Sequence, residues 1–144
     1  DVKNPLSPEG SRNISLNPLA LAITMGAPFV ARGFAGEKEH LKELIKQAIL
    51  FPGTALVDIL QPCVSFNKVN TYAWYRERVY KLEKQPGDRY EAIRLAESWG
   101  ERIPTGIFWR DGQFSCREGR ELFRRHVTEP AVARLLNKPC IMMR

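Results

Sequence analysis

Cys63 stands in the run Gln61-Pro62-Cys63-Val64-Ser65-Phe66-Asn67, directly after the apolar run from Thr54 to Leu60. A thiolate there can act as a nucleophile or as a metal ligand. It can equally be a small buried side chain, because cysteine is among the most buried residue types. A nucleophile needs a base, and the sequence has only two histidines, His40 and His126, neither tied to Cys63 by any pattern. Cys116 and Cys140 lie in the polar, basic end of the chain and read as free thiols. Asp58 interrupts the run before Cys63, and a charge in an apolar strand is costly unless it is paired. Arg32, inside the apolar run Phe29 to Phe34, is one partner for it, and a helix N-terminus is another. Arg32 can also face a cofactor pocket or an interface.

The elements that must position these residues alternate. Asn17-Pro18 reads as a helix start, with Asn17 capping and Pro18 in the first turn. Ala27 to Phe34 reads as a buried strand. Glu37 to Leu50 is the clearest helix, with Leu41, Leu44, Ile45, Ala48 and Ile49 on one stripe. Pro52-Gly53 ends it, and Thr54 to Leu60 is nearly continuous apolar strand. The Cys63 loop follows. Asn70 or Thr71 can cap a helix through Leu82, and Asp88 caps a further helix ending at Trp99-Gly100. Thr105 to Arg110 reads as a third strand, and residues 114–126 as a last helix. Strand, helix and strand at this spacing imply α/β architecture, a three-layer parallel sheet with flanking helices and at least three strands. So small a sheet points to part of something larger. The expected division is a folded unit over residues 1–113 and a basic, partly helical tail over 114–144.

The 144 residues are 44% apolar and 26% charged, which excludes collagen-like, coiled-coil and wholly disordered chains. No apolar run reaches the roughly 18 residues of a membrane span. The longest candidate, Pro18 to Val30, is broken by Gly26 and Pro28. No secretory signal is visible and three cysteines is an odd count, so a disulfide framework is not expected and the cytoplasm is the default compartment. The net charge of +6 admits an acidic partner. No nucleic-acid motif accompanies it, and Trp74, Tyr75, Tyr80 and Trp99 read as packing residues rather than a base-stacking platform. Neither nucleic acid nor a membrane is expected as a partner. There is no Gly-x-Gly-x-x-Gly, no P-loop, no metal-spaced Cys/His cluster and no Gly-Asp-Gly.

Three runs carry a resemblance: NPLALAITMGAPFVARGFAGEKEHLKELIKQAI, then PGTALVDILQPCVSFNKVNTYAWYRERVYKL, then EAIRLAESWGERIPTGIF. In this order and spacing they closely resemble the β subunit of 2-oxoacid:ferredoxin oxidoreductases, over residues 11–110. The resemblance implies a thiamine-diphosphate enzyme that oxidises a 2-oxoacid with coenzyme A and passes electrons to ferredoxin. It implies part of a thiamine-diphosphate-binding domain, the carboxy-terminal half of a subunit about twice as long. The family's amino-terminal half holds the Gly-Asp-Gly motif for magnesium and diphosphate, and three of the cysteines that bind a four-iron four-sulfur cluster. The cysteine of the LQPC run is the fourth ligand, and the resemblance carries that role to Cys63. Cys116 and Cys140 match no family ligand, and the tail after residue 114 follows no family pattern. The partners implied are the α subunit or the amino-terminal half, ferredoxin, coenzyme A and the 2-oxoacid. Alone, the 144 residues are expected to be inactive. The alternative is a non-catalytic assembly module derived from such a subunit, docking through its aromatic helices. A half-domain of a thiamine decarboxylase fits less well, because such enzymes need no cluster cysteine.

Overall fold

The structure, a computed structural model, describes residues 15–113. The expected tail over 114–144, with the helix over 114–126, Cys116, His126 and Cys140, lies outside the described residues. The elements in order are α1 (Pro18–Thr24), β1 (Phe29–Phe34), α2 (Lys38–Leu50), β2 (Ala55–Leu60), α3 (Tyr72–Arg76), β3 (Val79–Lys81), α4 (Arg89–Ala96) and β4 (Ile103–Arg110).

The four strands form one sheet in the order β2-β1-β4-β3. It is α/β with helices on both faces, as the alternation of side chains along the strands shows. Val30, Leu56 and Phe108 meet Leu19 and Ile23 of α1 and Ala92 and Ala96 of α4. The neighbouring residues Phe29, Ala31, Val57 and Ile107 point the other way and meet Leu44 and Ala48 of α2. Each large apolar side chain buried in these layers contributes about 1.5–3 kcal/mol.

The sheet is mixed rather than parallel throughout. β1 and β2 are parallel, joined by α2, and β3 and β4 are parallel, joined by α4. Between these two units, β1 and β4 are antiparallel. A strand–helix–strand pattern dictates parallel pairing inside each unit but says nothing about the direction of one unit against the other. Both units step the same way across the sheet with opposite strand direction. Crossovers of one hand then require their helices on opposite faces, which is where α2 and α4 lie.

The expected helix through Leu82 stops at Arg76, and Val79–Lys81 is a strand. Pairing with β4 outcompetes helix propensity here: the Arg78 carbonyl accepts from the Ile103 N–H and the Leu82 N–H donates to the Thr105 carbonyl, both at 2.8 Å. Gly106 permits this approach. Its φ is +134°, and a Cβ there would lie 3.2 Å from the Leu82 Cβ. Pro104 is tolerated within β4 because pairing with β1 ends at Arg32–Gly106.

The caps behave as their residue types dictate. The Asn17 side chain accepts from the Leu19 and Ala20 N–H groups, each at 3.1 Å, and donates to the Ala96 carbonyl at 2.8 Å. One residue therefore starts α1 and ties it to the end of α4. Asp88 accepts from the Glu91 N–H at 2.8 Å, and the Glu91 carboxylate accepts from the Gly87 N–H at 2.7 Å.

Candidate functional site

β2 delivers the chain to its carboxyl end at Leu60, the edge where ligands bind in open α/β sheets. Pro62 is buried there and Cys63 emerges exposed. The loop beyond is built by Asn67. Its backbone N–H donates to the Cys63 carbonyl at 3.2 Å, and its side-chain oxygen accepts from the Val69 and Asn70 N–H groups at 3.0 and 2.9 Å. The Lys68 ammonium donates to the Val64 carbonyl at 2.5 Å, and Thr71 caps α3 through the Trp74 N–H at 3.3 Å. Backbone hydrogen bonding, from Phe66 first and then Ser65 and Asn67, holds the Cys63 thiol below its ordinary range; desolvation opposes it and the Lys68 charge adds to the lowering. The loop therefore favours a thiolate, the form that binds metal.

A second feature lies on the α1/α4 face near the same sheet edge. Arg32 and Asp58 are opposite one another in the β1–β2 register. The Arg32 Nε donates to Asp58 Oδ2 at 2.9 Å, with side-chain exposures of 3% and 23%. The guanidinium also lies 5.7 Å from the Trp99 ring and 5.6 Å from that of Phe108. Of the two readings of Arg32, the ion pair holds, and the pair also lines a cleft of about 460 Å³ with Asn17, Leu60 and Trp99. The Arg32 Nη1 is buried and has no acceptor among the described residues.

His40 is not brought to Cys63. It lies on α2, 3.4 Å from Glu37, and lines a different cavity with Leu82 and Gly106. Burial, with the Lys81 charge, lowers its pKa against the opposing pull of Glu37. Among the described residues, no group of three or more His, Cys, Asp or Glu is placed to hold a metal ion. Any metal at Cys63 thus needs ligands from elsewhere. The Arg32–Asp58 pair was among the expected partners; the turn that Asn67 builds after Cys63 is the part of the site that sequence reasoning missed. Its one signal was Asn67 followed three residues later by Asn70, a pattern of turn-building side chains.

The family model for the carboxy-terminal part of the pyruvate ferredoxin oxidoreductase β subunit matches residues 63–122. It begins at Cys63 and runs beyond residue 110. A 2-oxoacid:ferredoxin oxidoreductase subunit beta from Sulfolobus sp is 46% identical over 117 residues, covering 72% of this chain and 38% of that protein. The protein of the same description from Saccharolobus solfataricus is 41% identical over 132 residues, covering 83% of this chain and 43% of the relative. In solved structures, the fold matches a 2-oxoglutarate:ferredoxin oxidoreductase from Magnetococcus marinus with 2-oxoglutarate, coenzyme A and succinyl-CoA bound. There the TM-score is 0.70 at 31% identity, covering 93% of this chain and 48% of the other. The chain spans less than half the length of each of these relatives. Sequence and fold agree that the chain belongs to the 2-oxoacid:ferredoxin oxidoreductase β-subunit family, matching its carboxy-terminal part.

Proposed function

We propose that this chain forms the carboxy-terminal part of a β subunit that works in CoA-dependent oxidative decarboxylation of a 2-oxoacid, with electrons passed to ferredoxin. Cys63 is assigned as a thiolate ligand of an iron–sulfur cluster. The observation that carries this reading is the exposed Cys63 thiol on a loop at the carboxyl end of β2, with its pKa lowered by backbone hydrogen bonding. The donor type fits: an exposed thiol that deprotonates more readily than a free one is suited to ligate iron. When bound, the cluster supplies one-electron acceptance and release. The chain's own part is to hold that sulfur deprotonated and in place. The Asn67 side chain fixes the loop for this, and Pro62 and Leu60 anchor it to the sheet.

Thiamine diphosphate and magnesium belong, on this reading, to the rest of the β subunit together with the other cluster ligands. The enzyme is completed by an α subunit, and its compartment is the cytoplasm. No helix among the described residues is long and apolar enough to cross a membrane. The test is to purify the complete enzyme containing this sequence and follow ferredoxin reduction with 2-oxoglutarate or pyruvate. The expected result is reduction that requires both the 2-oxoacid and coenzyme A. Reduction of neither ferredoxin nor a viologen dye with any 2-oxoacid, in a preparation with full iron and thiamine content, would sink the assignment.

A further inference from the structure

Cys63 and Asn67 close a single turn. The Asn67 N–H donates to the Cys63 carbonyl at 3.2 Å, across the four-residue spacing of one helical turn. Cys63 therefore stands where the cap of a helix stands. A side chain there accepts from the N–H groups two and three residues on, here those of Ser65 and Phe66. Among the described residues neither of these N–H groups donates to a main-chain carbonyl. The backbone of both hydrogen-bonds the thiol instead.

So short a turn does not hold itself, because one hydrogen bond does not offset the entropy of fixing its backbone. Its surroundings are anchored: Pro62 is buried before it, and beyond Thr71 the Tyr72 ring packs on Phe34 with centroids 5.8 Å apart. Between these anchors Asn67 is the clamp. Its side-chain oxygen accepts from the Val69 and Asn70 N–H groups at 3.0 and 2.9 Å, and its side-chain amide donates to Asn70 Oδ1 at 3.2 Å. Lys68 adds one exposed bond to the Val64 carbonyl.

We infer that Asn67 is a positioning residue for electron transfer: by holding the 63–67 turn, it sets the reduction potential of an iron–sulfur cluster ligated by Cys63. The inference rests on the proposed ligation and adds what poises it. Reduction puts more negative charge on the ligating sulfur. An N–H aimed at that sulfur therefore stabilises the reduced form more than the oxidised one. Loosening the turn weakens this preference and lowers the potential. Asn67 acts through the turn and not on the metal, so iron binding and potential separate on mutation.

The experiment is a redox titration of the complete enzyme followed by electron paramagnetic resonance, with iron measured alongside, for wild type, Asn67→Ala and Asn67→Ser. Serine keeps an oxygen able to accept from the same N–H groups and adds no charge. The expected result is full iron in both variants. The potential falls by about 59 mV in Asn67→Ala, a tenfold change in the one-electron equilibrium constant, and by less in Asn67→Ser. An unchanged potential in Asn67→Ala overturns the inference. An equal fall in both variants overturns it too, because the accepting oxygen would then not be what holds the turn. Loss of iron from either variant also overturns it, because Asn67 would then be needed to bind the cluster rather than to poise it. Failure of the underlying ligation shows differently, as a Cys63→Ala enzyme that keeps its iron and its spectrum.

Discussion

The Arg32 guanidinium is the most deeply buried charge described, and one carboxylate compensates it. Removing that carboxylate strands the cation. Asp58→Ala is therefore expected to destabilise the protein by about 3 kcal/mol, measured as a shift of the urea midpoint at constant m-value. A loss under about 1 kcal/mol would mean the pair behaves as a surface contact. Arg32→Met should cost less, because Asp58 keeps some access to water. Cys63 allows a test by pH. Its folded thiol titrates below the ordinary cysteine value, so the thiolate fraction saturates at lower pH than in a free thiol. In cluster-free protein, the midpoint of iodoacetamide alkylation should lie below that of free cysteine. Asn67→Ala, which unwraps the amide loop, should raise it. Equal midpoints for wild type and variant would contradict the loop's effect on the thiol. The sequence marked Cys63, Asp58 and Arg32 as residues out of keeping with their runs. It could not supply the register that sets Arg32 opposite Asp58, because parallel pairing is decided between strands remote in sequence.

At the scale of elements, legibility followed how local the deciding force was. α2 carries its own apolar stripe, α1 and α4 carry their own side-chain caps, and each formed within a few residues of the expected bounds. β3 did not announce itself. Three residues, Val79 to Lys81, are too few for a period, and only the edge of β4 holds them. The same non-locality hid the reversal between β1 and β4. The caps are where element stability is most exposed to a single change. Asn17→Ala removes a cap and the bond to Ala96 together, and should cost about 2 kcal/mol. Thermal unfolding of Asn17→Ala against Asn17→Asp separates the two, since Asp keeps the cap and loses the donor to Ala96. Equal stability of all three proteins would contradict the tether between α1 and α4.

At the scale of the molecule, the described residues form a four-stranded mixed sheet whose β2 edge is half exposed and whose Cys63 loop presents one exposed thiol. A single thiolate does not hold a cluster, and the relatives that match are more than twice as long as the stretch they share with this chain. A cluster at Cys63 therefore requires ligands from outside the described residues. The most direct measurement is the iron content and reduced-state electron paramagnetic resonance spectrum of the complete enzyme, wild type against Cys63→Ala. The expected result is a variant that assembles but loses or degrades the cluster signal and most of its iron, with ferredoxin reduction abolished. A variant that keeps full iron and an unaltered spectrum would contradict it and return Cys63 to an ordinary surface thiol.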